Sequence, residues 1–260
     1  MILHATTRGE GRPLVLLHGL FGQSGNFGAI QRSLALGGRR VIALDLRNHG
    51  ASAHAPGMDY RTMAEDVHAT LAALGVLPCA VLGHSMGGKA AMALALTHPD
   101  AVTRLCVADI APIAYRPHLI TYAAAMRDLK LDPGLTRAKA DAVLAATIPD
   151  GGERAFLLSN LRLGAQPQWR IGLDAIIAGI GDIQGWPGIA APPFAGPTLF
   201  LAGARSHYLR PEHRPAISAL FPAARFVTLK NAGHWLHADD PAGFIAVIEA
   251  FCPVDPPIDQ

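Results

Sequence analysis

A chain of 260 residues, half of them apolar and 16% charged, carries enough apolar surface for one large core. A formal net charge of +2, with no basic stripe interleaved with aromatics, excludes nucleic acid as a partner. No apolar run approaches the roughly 20 residues that span a bilayer, and Met1 to Thr7 lack the charged-then-apolar order of a signal peptide.

Cys79, Cys106 and Cys252 are too few and too dispersed for a disulfide framework and read as small buried hydrophobes. The expectation is a cytoplasmic protein with no membrane partner.

In chain order, short apolar runs alternate with helical patterns. Leu14 to Leu17 predicts a strand, Asn26 to Leu36 a helix and Val41 to Leu44 a second strand. Thr62 to Glu65 has the spacing of a capping box, opening a helix that runs to Leu74 and stops at Gly75. Cys79 to Gly83 predicts a strand, Met86 to Thr97 a helix ended by His98-Pro99, and Leu105 to Ala108 the next strand. Thr198 to Ala202 and Phe226 to Leu229 predict two more, and Asp240-Pro241 opens a last helix. This alternation predicts an α/β fold with a mostly parallel central sheet and helices on both faces.

Between about Pro112 and Pro197 the alternation stops and helical periodicity takes over. Interruptions fall at Pro133-Gly134, Pro149 to Gly152 and Pro187-Gly188, and Tyr122, Met126, Leu129, Leu157, Leu161, Ile176 and Ile180 are expected to face inward. The expected organisation is a core of residues 1–111 and 197–260 with a helical cap, residues 112–196, inserted at the strand ends. That is where open α/β sheets bind ligands. Trp169 and Trp186, by their place in the insertion, are expected to shape selectivity.

Three turns carry the chemistry. Gly83-His84-Ser85-Met86-Gly87 matches G-x-S-x-G between a predicted strand and a predicted helix. A serine on so tight a turn is presented at the sheet edge, with a helix N-terminus behind it to favour a developing anion. His18-Gly19-Leu20-Phe21-Gly22 follows the first apolar strand and can bring a backbone amide toward that serine. The oxyanion donors are therefore expected from Leu20 and Met86. Asn231-Ala232-Gly233-His234-Trp235 follows the last strand, and its glycine lets His234 approach Ser85 as the general base. His84 either lines the pocket or supports its turn, and His237 packs on a helix start. Phe21 and Trp235 give the pocket an apolar character. No H-x-x-x-H with a carboxylate appears, so no metal site is expected.

On these motifs the sequence resembles the α/β-hydrolase superfamily. Asp45-Leu46-Arg47-Asn48-His49-Gly50, Ser85-Met86-Gly87-Gly88-Lys89 and Asp109-Ile110-Ala111-Pro112 resemble, more narrowly, the small esterases of the bacterial YbfF type and their mitochondrial relatives of the ABHD11 group. The resemblance implies hydrolysis of small-molecule carboxylic esters or thioesters without a cofactor. Many superfamily members place the triad acid in a Gly-x-x-Asp pattern after the penultimate strand. Here that stretch is Gly203-Ala204-Arg205-Ser206, and serine cannot stabilise an imidazolium by charge.

Asp109, ending the strand after the nucleophile's helix, is the expected replacement, as some superfamily members arrange it. Asp45 reads as a loop brace, and Asp239 and Asp240 as helix caps. Arg116, Arg162 and Arg170 are candidates to meet an anionic leaving group such as coenzyme A. Competing readings on the same fold are a cofactor-free haloperoxidase, a lactone or C–C bond hydrolase, and a non-catalytic ligand-binding member.

Overall fold

The computed structural model describes residues 1–116 and 119–254. Seven strands form one sheet in the order β1-β3-β2-β4-β5-β8-β9. These are β1 (Ala5–Arg8), β2 (Arg12–Leu17), β3 (Arg39–Leu44), β4 (Cys79–His84), β5 (Val102–Ala108), β8 (Thr198–Gly203) and β9 (Ala224–Leu229). All neighbours pair in parallel except β1, which lies antiparallel on β3. The chain winds outward from β2 to β3, then returns across β2 to β4. The crevice beyond the C-terminal ends of β2 and β4 is therefore the sheet's switch point.

The period of two along each strand divides the core. Val15, Leu17, Ile42, Val81, Leu105 and Val107 face α2 (Tyr60–Ala73) and α3 (Met86–Thr97). Leu14, Leu16, Val41, Leu82, Cys106 and Leu201 face α1 (Gly28–Leu36) and α11 (Pro241–Phe251). Burial on both faces explains why the strands read as continuous apolar runs. The three cysteines are free and buried. Burial pushes the Cys79 thiol up to about 12 and that of Cys252 up to about 11.

Two local expectations are corrected. Helix α2 starts earlier than the Thr62 capping box: Asp59 is its N-cap, accepting from the Thr62 amide at 2.9 Å and the Thr62 hydroxyl at 2.6 Å. An aspartate immediately before the helix outcompetes a threonine inside it, because its carboxylate reaches the free first-turn amides. Strand β1 was not expected; it is short, with Ala5 and Thr6 half-buried and Thr7 and Arg8 exposed.

Between β5 and β8 lie α4 (Leu119–Asp128), α5 (Arg137–Leu144), α6 (Gly151–Leu158), α7 (Leu173–Ala178) and α8 (Ile180–Gln184). A two-stranded ribbon, β6 (Leu161–Arg162) with β7 (Gln168–Trp169), joins α6 to α7. Met126, Leu129, Leu157, Leu161 and Ile176 are buried, whereas Tyr122 and Ile180 are half-buried. The Pro149–Gly152 stretch starts a helix as well as interrupting one, since Asp150 caps α6 through the Glu153 amide at 2.8 Å. Helix α9 (Arg214–Leu220) precedes β9, and α10 (Leu236–Asp239) precedes α11. Among the described residues no helix is long and apolar enough to cross a membrane.

Candidate active site

Ser85 sits between β4 and α3 at φ 53°, ψ −119°, a conformation that costs a non-glycine residue about 1–3 kcal/mol and persists only where its surroundings enforce it. The neighbouring glycines make the turn feasible. A Cβ on Gly83 would lie 2.1 Å from the Gly87 carbonyl oxygen, and one on Gly87 would lie 2.4 Å from that of Leu17. Strand, turn and helix thus touch backbone to backbone, and the Ser85 side chain projects into the switch-point crevice. The Ser85 amide donates to the Ala108 carbonyl at 3.0 Å, tying the turn to the end of β5.

The loop after β2 is held by two buried histidines. His18 Nδ1 donates to the Gly19 carbonyl at 2.8 Å, and its Nε2 accepts the Leu46 amide at 3.0 Å. His49 Nδ1 donates to the Arg47 carbonyl at 2.8 Å, and its Nε2 accepts the Phe21 amide at 3.1 Å. Both rings are neutral, because burial lowers His18 and holds His49 down at about 3. Phe21 itself is at φ 61°, and its carbonyl accepts from Asn160 Nδ2 at 2.7 Å.

With the Phe21 amide taken by His49, the Leu20 amide, like that of Met86 at the N-terminus of α3, has no hydrogen-bond acceptor among the described residues. Asp45 acts as the brace expected of it, accepting the Ser24 amide at 2.6 Å and the Ala51 amide at 2.8 Å.

His234 arrives on the loop between β9 and α10. Its Nε2 lies 3.1 Å from Ser85 Oγ, and its Nδ1 lies 2.7 Å from Asp109 Oδ2. Asp109 is fully buried at φ 54°, with its amide on the Leu201 carbonyl at 2.8 Å. Its Oδ1 accepts the Gly203 amide at 3.3 Å. Ser206, the residue at the more usual acid position, donates its hydroxyl to the same Asp109 Oδ2 that meets His234. Ser206 Oγ in turn accepts the Tyr208 amide at 3.2 Å. The Tyr208 ring stacks on His234 with centroids 4.0 Å apart.

Other groups hold the histidine loop. His84 Nε2 donates to the His234 carbonyl at 2.8 Å, so His84 both supports the loop and lines the cavity. Asp239 corrects an expectation: it caps no helix, and its carboxylate accepts the Gly233 amide at 2.7 Å. His237 lies between Phe27 and His84 with a buried Nδ1 that has no partner, and burial lowers it to about 4.

Ser85 opens into a cavity of about 360 Å³ lined by Leu20, Phe21, His84, His234 and Trp235, together with Leu119, Tyr122, Phe156 and Leu157 from the segment between β5 and β8. Trp169 and Trp186 do not line it. Trp169 Nε1 donates to the Met126 carbonyl at 2.8 Å, and Trp186 packs near Tyr60. Lys89 closes the Ser85-to-Lys89 string, yet nothing in that pattern tells its role. Its ammonium is buried and donates to the carbonyls of Ile113, Gln184 and Gly185, binding α3 to the segment above it. Burial lowers it to about 7. The nearest approach to a metal-ligand set among the described residues is Glu65, His68 and His98, which meet where α2 passes the end of α3. None of them lines the cavity at Ser85.

A buried carboxylate, an imidazole and a serine hydroxyl in one hydrogen-bonded line, at the switch point of a parallel sheet, are the parts of a hydrolase. The α/β hydrolase fold family matches residues 12–241, and the chain belongs to that family. Within it, the chain is 42% identical to the sn-1-specific diacylglycerol lipase ABHD11 of Mus musculus over 92% of its length and 80% of that protein's. It is 36% identical to the esterase YbfF of Escherichia coli (strain K12), covering 92% of each. Among solved structures, a marine microorganism esterase superposes with a TM-score of 0.92 at 37% identity, covering 96% of this chain and 99% of that one.

Proposed function

We propose that this chain, a carboxylic ester hydrolase by its family and relatives, works through an acyl-enzyme formed on Ser85. The observation that carries the reading is the unbroken line Ser85 Oγ–His234 Nε2 at 3.1 Å and His234 Nδ1–Asp109 Oδ2 at 2.7 Å. Ser85 Oγ attacks the acyl carbon while its proton passes to His234 Nε2. The carbonyl π electrons move onto oxygen, which the free amides of Leu20 and Met86 stabilise. As the tetrahedral intermediate collapses, the bond to the leaving alcohol breaks and His234 protonates it. Water then attacks the acyl-serine, losing its proton to His234, and the acid departs as Ser85 regains its hydrogen. Asp109 keeps the Nδ1–H tautomer and stabilises the imidazolium throughout.

The same proposal assigns residues 112–196 as a cap, supported by the six residues of that stretch that line the cavity. A cytoplasmic location belongs to it too, supported by three free, buried thiols. The test is labelling by a fluorophosphonate probe beside hydrolysis of 4-nitrophenyl acetate. Ser85 is expected to be the labelled residue, and Ser85→Ala to lose both signals with an unchanged thermal melt. Turnover retained in the folded variant would overturn the reading.

A further inference from the structure

We infer that Ser85 separates a very small acyl subsite from a large, acidic alcohol chamber, so that the enzyme takes acetyl or propionyl esters of bulky neutral or cationic alcohols. This rests on the acyl-enzyme reading above. Around the tetrahedral carbon, Oγ is one substituent and the oxyanion, aimed at the Leu20 and Met86 amides, is another. The leaving oxygen must reach His234 Nε2 to be protonated, which leaves one direction for the acyl chain.

Two cavities meet at Ser85, sharing Leu20, Leu119 and Tyr208. The large one contains His234, Gly233 and Trp235; the small one contains Met86, Ile110, Tyr115 and Ile183, and not His234. The alcohol therefore occupies the large cavity, and the acyl group the small one.

Their sizes differ by an order of magnitude. The alcohol chamber is about 360 Å³, within the range of sites for whole small molecules. The acyl subsite is about 30 Å³, less than a tenth of the chamber, and so has room for only a short acyl chain.

Its walls are fixed. Tyr60 Oη donates to the Ile183 carbonyl at 2.5 Å. Tyr115 Oη accepts the Ala111 amide at 2.9 Å and donates to the Tyr208 carbonyl at 2.6 Å. Met86, Ile110 and Ile183 are all buried, so enlarging the pocket means displacing packed side chains. The charged side chains lining the alcohol chamber are Asp150, Glu153 and Asp239, with no Lys or Arg among the described lining residues. Arg116, Arg162 and Arg170 are not among them. A chamber of one sign attracts cations and disfavours a phosphorylated carrier such as coenzyme A.

The test is a series of 4-nitrophenyl esters, acetate to octanoate, with one leaving group throughout. We expect kcat/KM to be highest for acetate or propionate and to fall on the order of 10- to 200-fold for the first methylene that does not fit. Ile183→Ala is expected to raise the butyrate-to-acetate ratio, with Ile183→Val as a milder variant should the first unfold. With acetyl fixed, acetylcholine and its neutral carbon analogue 3,3-dimethylbutyl acetate are expected to exceed acetyl-CoA, and Glu153→Gln to narrow the gap. An octanoate ester turned over as well as acetate, with Ser85 still labelled by a fluorophosphonate, overturns the acyl subsite alone. Acetyl-CoA exceeding both oxygen esters overturns the alcohol chamber. Absence of labelling and of turnover with every ester overturns the underlying reading as well.

Discussion

Ser85 stands between two supporting regions built on opposite electrostatic plans. On the Leu20 side, the loops after β2 and β3 are locked by His18 and His49, neutral rings spending both nitrogens on backbone groups. On the His234 side, one buried carboxylate collects an imidazole, a hydroxyl and an amide. The first region has to hold a shape so that two amides stay free, and an uncharged brace does that at every pH where the ring remains neutral. On the proposed mechanism the second has to answer a charge that appears on His234 during turnover, which only an anion can do. Removing a brace and removing the anion are therefore expected to fail differently.

The largest effect is at the residue both regions serve. Ser85→Ala is expected to lower kcat on the order of a millionfold, by analogy with nucleophile removal in a template triad, while the melt stays in place. Asp109→Asn comes next, with a loss of about ten-thousandfold in kcat, measured with a short aryl ester. Asparagine tolerates the φ of 54° that Asp109 occupies, so a folded variant is expected. Adding Ser206→Asp to Asp109→Asn is expected to restore part of the rate, because Ser206 already reaches the oxygen that meets His234. No recovery in the double variant would show that only the β5 strand end can orient the ring.

Ser206→Ala alone is expected to cost about tenfold in kcat with KM unchanged, since a hydrogen bond to a charged group is worth about 1.5–3 kcal/mol and Asp109 keeps its other donors. A KM rise instead would place Ser206 in substrate binding.

The smallest effect separates the regions by pH. His49 and His237 bind a proton near 6.5 when unfolded but only near 3 and 4 when folded, because burial opposes the charge. Over that interval the unfolded chain holds more protons, so stability falls as pH drops from about 6.5 toward 4 and 3. His49→Gln is expected to flatten this acid limb in melts taken across the range, whereas Asp109→Asn is expected to keep it. An equally steep limb in His49→Gln would remove that ring from the account.

Much of this architecture was legible because its signals are local. Gly83 to Gly87 specifies a turn whose sterics depend only on neighbours, and the strands on either side of it are buried on both faces and read as apolar runs. Asp109 was reachable through the resemblance, which implies an acid either in the turn at 206, where a serine cannot supply charge, or at the end of the strand that Asp109 closes. What stayed hidden depends on distant partners. That Ser206 serves Asp109 is a contact across 97 residues. His18 and His49 both fall inside motifs, but they become braces only when two separate loops meet, and neither motif tells that its ring will hold a backbone amide of the other loop. Lys89 sits in a buried α3 whose partners are carbonyls from the other side of β5, and carbonyls leave no trace in a sequence. Trp169 and Trp186 mislead for a related reason: position in an insertion does not say which way a ring faces.

The shared oxygen of Asp109 has an evolutionary meaning. The ends of β5 and β8 converge so closely that the Ser206 hydroxyl meets the same Asp109 oxygen as His234 Nδ1. A lineage can therefore move its acid from one strand end to the other by two single substitutions, through an intermediate that carries both carboxylates and never loses the charge. The barrier to that exchange is the repulsion between two buried acids, which a shared proton relieves. On the proposed triad, the serine in the β8 turn is then no defect, because the carboxylate it would have supplied stands at the end of β5.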